Sequence, residues 1–353
     1  MKKVLYITNI AVPYRVRFFN ELAKYCDLTV LYERRQSANR DKAWTSSVEE
    51  RYRSEYLDGI KVSKENTFSL RILKYITGKY DVIIVGCCNS PVQAMAILIM
   101  RILHIPYYLN VDGEIHWKQS GIKNILKRLV LKGAAKYLVA GEKSAESLRP
   151  VSGNAPIIPY YFSSLTDEEL NQNAEDSQNV VRKDTILVVG QYFDYKGMDV
   201  VLEAAKMDQS ISYLFVGMGK RTTLFQETFH TEAVPNVKIV PFLQKSDLEK
   251  EYRTCSMLVL PSRQECWGLV INEAASFGMP IVSTWGSGAA VEFLSNDYPQ
   301  YLAVPGDAAS LLEAIRHFRS CGEAEDYGSY LREKNKKYSI EVSCRVHLSA
   351  LDI

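Results

Sequence analysis

Short runs of β-branched and aromatic residues alternate with stretches of helical period along this chain, and the alternation stops once and then restarts. Such βα alternation winds into parallel sheets covered by helices, so the expected fold class is α/β. In the first half the runs place strands at 4–8, 28–32, 82–86, 107–110 and 137–140, with helices at 14–25, 92–103 and 123–132. The interruption is 163–183, SSLTDEELNQNAEDSQNVVRK, which is too poor in large apolar residues to add much core. A new first strand follows at 185–189, then a helix from 198 to about 205 and strands at 213–216, 237–240, 257–260, 280–283 and 301–304. The 353 residues exceed what one core usually supports. We therefore expect a Rossmann-like domain over 1–165, a polar linker over 166–183 and a second Rossmann-like domain over 184–325. Helices over 326–353 would pack back on the first domain.

The net charge of +2 hides an asymmetry: residues 1–165 carry 25 Lys and Arg against 14 Asp and Glu, a net +11, while the remainder nets −9. Only the first half suits an anionic surface. Nucleic acid is a poor partner, since no DNA- or RNA-binding motif accompanies the charge. Within 116–136, Lys118, Lys123, Lys127, Arg128, Lys132 and Lys136 surround Ile122, Ile125, Leu126, Leu129, Val130 and Leu131. Two readings stay open: a helix lying on an anionic bilayer, or an amphipathic helix packed on its own domain with a solvated basic face. The basic character of the whole half favours the bilayer.

Lys2 and Lys3 before an apolar run resemble a signal peptide, but Thr8, Asn9, Pro13, Arg15 and Arg17 interrupt it too early, so it reads as a first strand. The longest apolar run, 94–100, is about a third of a membrane span. The expected location is cytoplasmic, peripheral at most on the inner face of the membrane. Seven cysteines, an odd total without metal-site spacing, fit a reduced protein; adjacent Cys87 and Cys88 read as core residues rather than zinc ligands.

Rossmann-like sheets bind ligands beyond the carboxyl ends of their strands. After the strand at 257–260 comes Pro261-Ser262-Arg263-Gln264-Glu265-Cys266-Trp267-Gly268-Leu269-Val270-Ile271-Asn272-Glu273, and Gly278 and Pro280 then end the helix. This spacing puts Glu265 in a strand-to-helix loop and Gly268 at a helix N-terminus, where free amides attract phosphate oxygens. Glu273 falls about two turns along, where a helix-stabilising charge is an equally good account. Lys196 beside Gly197 is either a solvated loop residue or a phosphate contact at a second helix start. Phe215-Val216-Gly217-Met218-Gly219 begins like a dinucleotide fingerprint, but Thr222 occupies the third glycine's place, which argues against a nicotinamide site. No Asp-x-Asp pair is present to bridge a diphosphate through a metal.

With these strings the chain resembles the large retaining glycosyltransferase family numbered four, of the two-Rossmann GT-B fold, whose signature is two glutamates separated by seven residues. The resemblance implies that Glu265 contacts the donor sugar, Glu273 holds the nucleotide ribose, and the amides of Gly268, Leu269 and Val270 bind the diphosphate. Gly190 and Lys196, in the Val188–Tyr192 and Lys196-Gly197-Met198-Asp199 strings, take the family's diphosphate positions, with Gln191 where relatives often carry arginine. Gly217 marks a turn beside the base. The strings 236–242, 286–292 and 304–307 also follow the pattern, so the resemblance covers nearly all of 184–320.

In the N-terminal half, 9–17 corresponds to a loop that in relatives meets donor phosphates and acceptor. It lacks their paired glycines; Pro13, Arg15 and Arg17 take that acceptor-side place, the arginines as cationic contacts or as solvated helix charges. Asp112 stands where many relatives carry a histidine near the reacting centre, with His116 shortly after. The resemblance thus implies two sheets facing across a cleft. It further implies retaining transfer from a nucleotide-diphosphate sugar to a carbohydrate or lipid-linked glycan in surface polysaccharide assembly (capsule, O-antigen or exopolysaccharide). Glu265 and Asp112 would act at the centre, with no metal or other cofactor. A nucleotide-sugar epimerase of the same fold would lack the two-glutamate string. A degenerate relative that only binds nucleotide-sugar or scaffolds a polysaccharide complex is the other alternative, supported by Gln191, Asp112 and the missing glycines.

Overall fold

The computed structural model describes residues 1–35, 48–62, 66–86, 90–114, 121–178 and 180–353, apart from the side chains of Lys61, Ile122 and Lys123. Two compact units emerge: unit 1 is Met1–Ser164 with Ile340–Ile353, and unit 2 is Leu165–Ser339. Cys87, Cys88, His116 and Lys118 lie outside the described residues.

In unit 1 the chain runs β1 (Lys3–Thr8), α1 (Pro13–Leu22), β2 (Asp27–Tyr32), β3 (Arg53–Tyr56), β4 (Ile60–Lys61), β5 (Thr67–Phe68), α2 (Ile72–Ile76) and β6 (Val82–Gly86). It continues through α3 (Pro91–Ile102), β7 (Tyr108–Val111), α4 (Ile122–Leu131), β8 (Lys136–Ala140), α5 (Glu142–Ser152) and β9 (Ile157–Tyr160). Seven strands form one parallel sheet in the order β3-β2-β1-β6-β7-β8-β9, and β4 and β5 pair antiparallel beside it. Because strand side chains alternate faces, Leu5, Ile7, Leu31, Ile83, Val85, Leu109 and Val139 enter one core with α2, α3 and α5. Val4, Tyr6, Leu28, Val30, Tyr32 and Ile84 enter the other. That second core is closed by α1 and by the chain's last helix, α14 (Ile340–Ala350), which presents Ile340, Cys344 and Leu348 as one stripe at four-residue spacing. Of the C-terminal segment expected to pack on the first domain, only this helix does so.

Unit 2 opens with α6 (Asp167–Asp176) and continues with β10 (Lys183–Val189), α7 (Met198–Met207), β11 (Ser212–Val216), α8 (Thr222–Phe229), β12 (Val237–Val240) and α9 (Lys245–Thr254). It ends with β13 (Cys255–Leu260), α10 (Leu269–Ser276), β14 (Ile281–Thr284), α11 (Gly288–Leu294), β15 (Leu302–Ala303), α12 (Ala308–Cys321) and α13 (Ala324–Asn335). The six strands are parallel in the order β12-β11-β10-β13-β14-β15. The expected linker 166–183 is corrected by α6. Thr166 and Glu169 form a capping box, three acidic residues occupy the first turn, and Asn173 Nδ2 donates to Ser276 Oγ at 2.9 Å. A polar composition suffices here because capping and two buried residues, Leu170 and Asn173, rather than a broad apolar stripe, fix the helix.

Arg182 leads into β10 and donates to the carbonyls of Tyr252, Arg253, Cys255 and Phe277, so one guanidinium ties together the ends of α9 and α10. Burial lowers its pKa to about 10. The stop after α10 has a tertiary role as well. A Cβ on Gly328 would lie 2.4 Å from the Gly278 carbonyl oxygen, so both glycines let α13 approach.

Candidate functional site

In unit 2 the strand order reverses direction between β10 and β13, and the crevice beyond their carboxyl ends is where such sheets accept ligands. The loop after β10 closes in a short turn, Asp194–Lys196, and Gly197 starts α7. Gly197 has φ +69°, and a Cβ there would sit 2.1 Å from the Pro261 carbonyl oxygen, so glycine alone lets this loop lie against the one after β13. Backbone bonds join the two loops, with Arg263 N and Gln264 N both donating to the Tyr195 carbonyl at 2.8 and 3.2 Å. The Arg263 guanidinium forks onto Asp199 at 2.8 and 2.5 Å and donates to the Asp194 carbonyl at 2.7 Å.

Across this seam Lys196 Nζ forms an ion pair with Glu265, whose second approach comes from Ser262 Oγ at 3.4 Å. Glu265 is held on its other side by β14's loop: its N–H donates to the Gly286 carbonyl at 2.8 Å and its carbonyl accepts from Gly288 N. Gly268, at φ +101°, begins α10 with no side-chain cap on the first-turn amides of Leu269 and Val270, the kind of helix start that suits an anion. Gly190 and Gly217 end β10 and β11, and a Cβ on Gly190 would meet Met198 Cε at 2.6 Å. Gln191 follows Gly190, half-buried. Glu273 accepts a 2.9 Å hydrogen bond from Tyr252 Oη. Burial and this carboxylate raise the Tyr252 pKa well above its ordinary value, so the phenol stays a donor. Tyr252, Arg263 and Asp199 were not singled out by sequence reasoning as supports of the site; the place of Arg263 and Asp199 in the matched strings hinted at them, and nothing pointed to Tyr252.

Of the unit 1 candidates, Arg15 meets Asp112, which stands just past β7. Arg15 pairs with its carboxylate, Asn110 Nδ2 donates at 2.8 Å and Tyr160 Oη at 3.2 Å. Arg15 is only 5 % exposed, donates to Tyr6 Oη at 2.9 Å and lies 5.3 Å from the Phe162 ring centroid. His347 of α14 completes the group: its Nε2 lies 3.2 Å from Asn110 Oδ1 and its Nδ1 2.8 Å from the Ser343 carbonyl. Burial lowers the His347 pKa to about 4, so the ring is neutral and donates to only one of these oxygens. Arg17 donates to the Ser164 carbonyl, and Pro13 is the first residue of α1. Both arginines of the 9–17 segment are thus engaged inside unit 1. Asn110, a polar residue in an apolar strand, was a visible signal of this network; Tyr160 and His347 were not.

On α4, Ile125, Leu126 and Leu129 are 67, 54 and 44 % exposed, while Leu131 is buried in the unit 1 core. Among the described residues no helix is long and apolar enough to cross a membrane. Among the same residues, no three His, Cys, Asp or Glu side chains are grouped to hold a metal.

Residues 171–338, nearly all of unit 2, match the family described as Glycosyl transferases group 1. An O-antigen chain mannosyltransferase C of Escherichia coli is 24% identical over 195 residues, 54% of this chain and 52% of the relative, so the match spans about half of that protein. An uncharacterized glycosyltransferase of Methanocaldococcus jannaschii is 24% identical over 261 residues, covering 71% of this chain and 69% of the relative. Among solved structures, Anabaena HepE in complex with UDP and glucose superposes with a TM-score of 0.75 at 14% identity over 100% of both chains. WaaG, a glycosyltransferase involved in lipopolysaccharide biosynthesis, gives 0.67 at 14% identity over 99% of this chain and 98% of its own. The chain therefore has the two-domain GT-B fold, and the crevice of its second unit lies within the region similar to group 1 glycosyltransferases.

Proposed function

We propose that this protein is a retaining glycosyltransferase that moves a sugar from a nucleotide-diphosphate donor to a carbohydrate or lipid-linked glycan in surface polysaccharide assembly. The observation that carries the proposal is the convergence of Lys196, Glu265 and the uncapped start of α10 at the β10/β13 crevice. A leaving nucleoside diphosphate gains negative charge as the glycosidic bond breaks, and a lysine beside a helix N-terminus is built to stabilise that charge. Fixed cations and amides of this kind make a metal unnecessary. Glu265, Glu273 and Gly217 take the sugar, ribose and base ends of the donor, and Asp112 takes the acceptor-side polar role. Retention follows if the acceptor hydroxyl attacks from the face the diphosphate leaves, with a phosphate oxygen taking its proton.

The similarity to an O-antigen mannosyltransferase and to HepE with its UDP and glucose supports this donor class. Exposed Ile125, Leu126 and Leu129 among the basic residues of α4 support a peripheral seat on an anionic cytoplasmic leaflet, where lipid-linked acceptors lie. The test is incubation with UDP-, GDP- and ADP-sugars in the presence of EDTA and a lipid-linked glycan extract, reading nucleoside diphosphate release and product anomer by NMR. Release with one donor and an unchanged anomeric configuration is the expected result. An inverted product, or strict dependence on added divalent metal, contradicts the corresponding part of the proposal.

A further inference from the structure

The Arg263 guanidinium stands in the middle of the donor loops yet faces neither the crevice lysine nor the glutamate. Among the described residues its hydrogen bonds go to the β10 loop and the start of α7: the fork onto Asp199 and the bond to the Asp194 carbonyl. Asp194 opens the turn that carries Lys196, and Asp199 lies in the first turn of α7, so the two contacts bracket Lys196 from both sides in sequence. Arg263 itself is two residues before Glu265. The lysine is a long, flexible side chain on a loop; a loop of this kind keeps its cation in one place only if the backbone beneath it is fixed.

Resting on the reading that Lys196 binds the donor diphosphate, we propose that Arg263 and Asp199 form a positioning pair that sets Lys196 for that contact without touching the ligand themselves. Three features argue for positioning rather than bulk stability. The pair is only partly buried and ties the loop after β13 to the first turn of α7, the two loops are already held by the Tyr195 carbonyl and by Gly197 against Pro261, and the fork fixes orientation as well as distance. A charge-assisted fork of this geometry is lost when arginine becomes lysine, although the charge stays.

The experiment is a double-mutant cycle read by calorimetric titration of UDP and of GDP into the full chain. Lys196→Met should weaken the nucleotide that binds by ten- to a hundredfold. Arg263→Met and Asp199→Asn should each weaken it about tenfold, and each should add less than about twofold in the Lys196→Met background. Arg263→Lys should behave like Arg263→Met. Asp199→Asn is nearly isosteric and separates the models even if Arg263→Met fails to fold: a guanidinium freed from Asp199 that contacted phosphate directly would hold or tighten binding. Additive losses, or unchanged affinity in Asp199→Asn, overturn the positioning role while leaving the donor site standing. No effect of Lys196→Met, or no binding of either nucleotide, overturns the donor reading and this inference with it.

Discussion

At the residue scale, the contact between Lys196 and Glu265 makes an unusual demand on a ligand-binding mutation. The carboxylate competes with a diphosphate for the same ammonium, so removing it should help the nucleotide while harming the reaction. Glu265→Gln is expected to lower sugar transfer by at least about a hundredfold, yet bind nucleoside diphosphate as tightly as wild type or tighter in titration. Loss of nucleotide affinity in this variant would mean that the pair builds the phosphate site rather than competing with it. Gly197→Ala addresses the seam directly. With φ at +69° and a carbonyl oxygen 2.1 Å from the new Cβ, the two loops must part, and denaturant unfolding should show a loss of roughly 2–3 kcal/mol. The placements of Glu265, Glu273, Lys196 and Gly268 were legible in the sequence because spacing along one chain segment encodes where each stands relative to a strand end. The supports were not legible in the same way. Tyr252 meets Glu273, and Arg263 meets Asp199, through contacts between distant segments that no single-segment pattern records.

At the element scale, two buried titratable groups in unit 1 pull stability in opposite directions. Glu33 follows β2 and receives the Ser90 hydroxyl at the start of α3, while its second oxygen is buried and has no hydrogen-bond partner among the described residues. Burial raises its pKa to about 7. Its folded value lies above its unfolded one, so the stabilising contribution is full below about pH 4.5 and is lost as pH rises through 7. His347 is the reverse case. With a folded pKa near 4 against 6.5, its contribution is present above pH 6.5 and is lost as pH falls towards 4. Each amounts to at most about 3 kcal/mol, and between pH 4.5 and 6.5 they offset one another. Denaturant unfolding across this window should therefore give stability that climbs with pH in Glu33→Gln and falls with pH in His347→Asn, relative to wild type. Parallel profiles for all three proteins would show that neither group titrates as its surroundings dictate.

The elements themselves show which patterns sequence reasoning captures. The strand at 82–86 coincides with β6 because an unbroken apolar run buried on both faces has one interpretation. β3, with its Arg53-Ser54-Glu55-Tyr56 sequence, is an edge strand whose polar composition hides it. For α4, replacing Ile125, Leu126 and Leu129 by Gln should abolish sedimentation with vesicles containing anionic lipid and leave unfolding unchanged within about 0.5 kcal/mol. Wild-type protein that stays in the supernatant would assign those side chains to a role other than lipid contact.

For the whole molecule, the charge difference between the halves and the chain's return to unit 1 through α14 are parts of one organisation. The acidic unit holds the proposed donor residues at a crevice defined by its own strand order, and the basic unit holds Asp112 in a network completed by the last helix. Tandem Rossmann-like domains were readable from the single interruption of the βα pattern. The interruption was read as a linker, because a capped polar helix has almost no hydrophobic signature.

The central claim is that the crevice between β10 and β13 binds a nucleoside diphosphate through Lys196. A thermal-shift screen of wild type and Lys196→Ala against UDP, GDP, ADP and CMP tests it, since a ligand that binds only the folded state raises the melting temperature by mass action. One nucleoside diphosphate should stabilise the wild type, with most of that shift absent in Lys196→Ala. Equal shifts in the two proteins, or no shift with any nucleotide, would contradict the account.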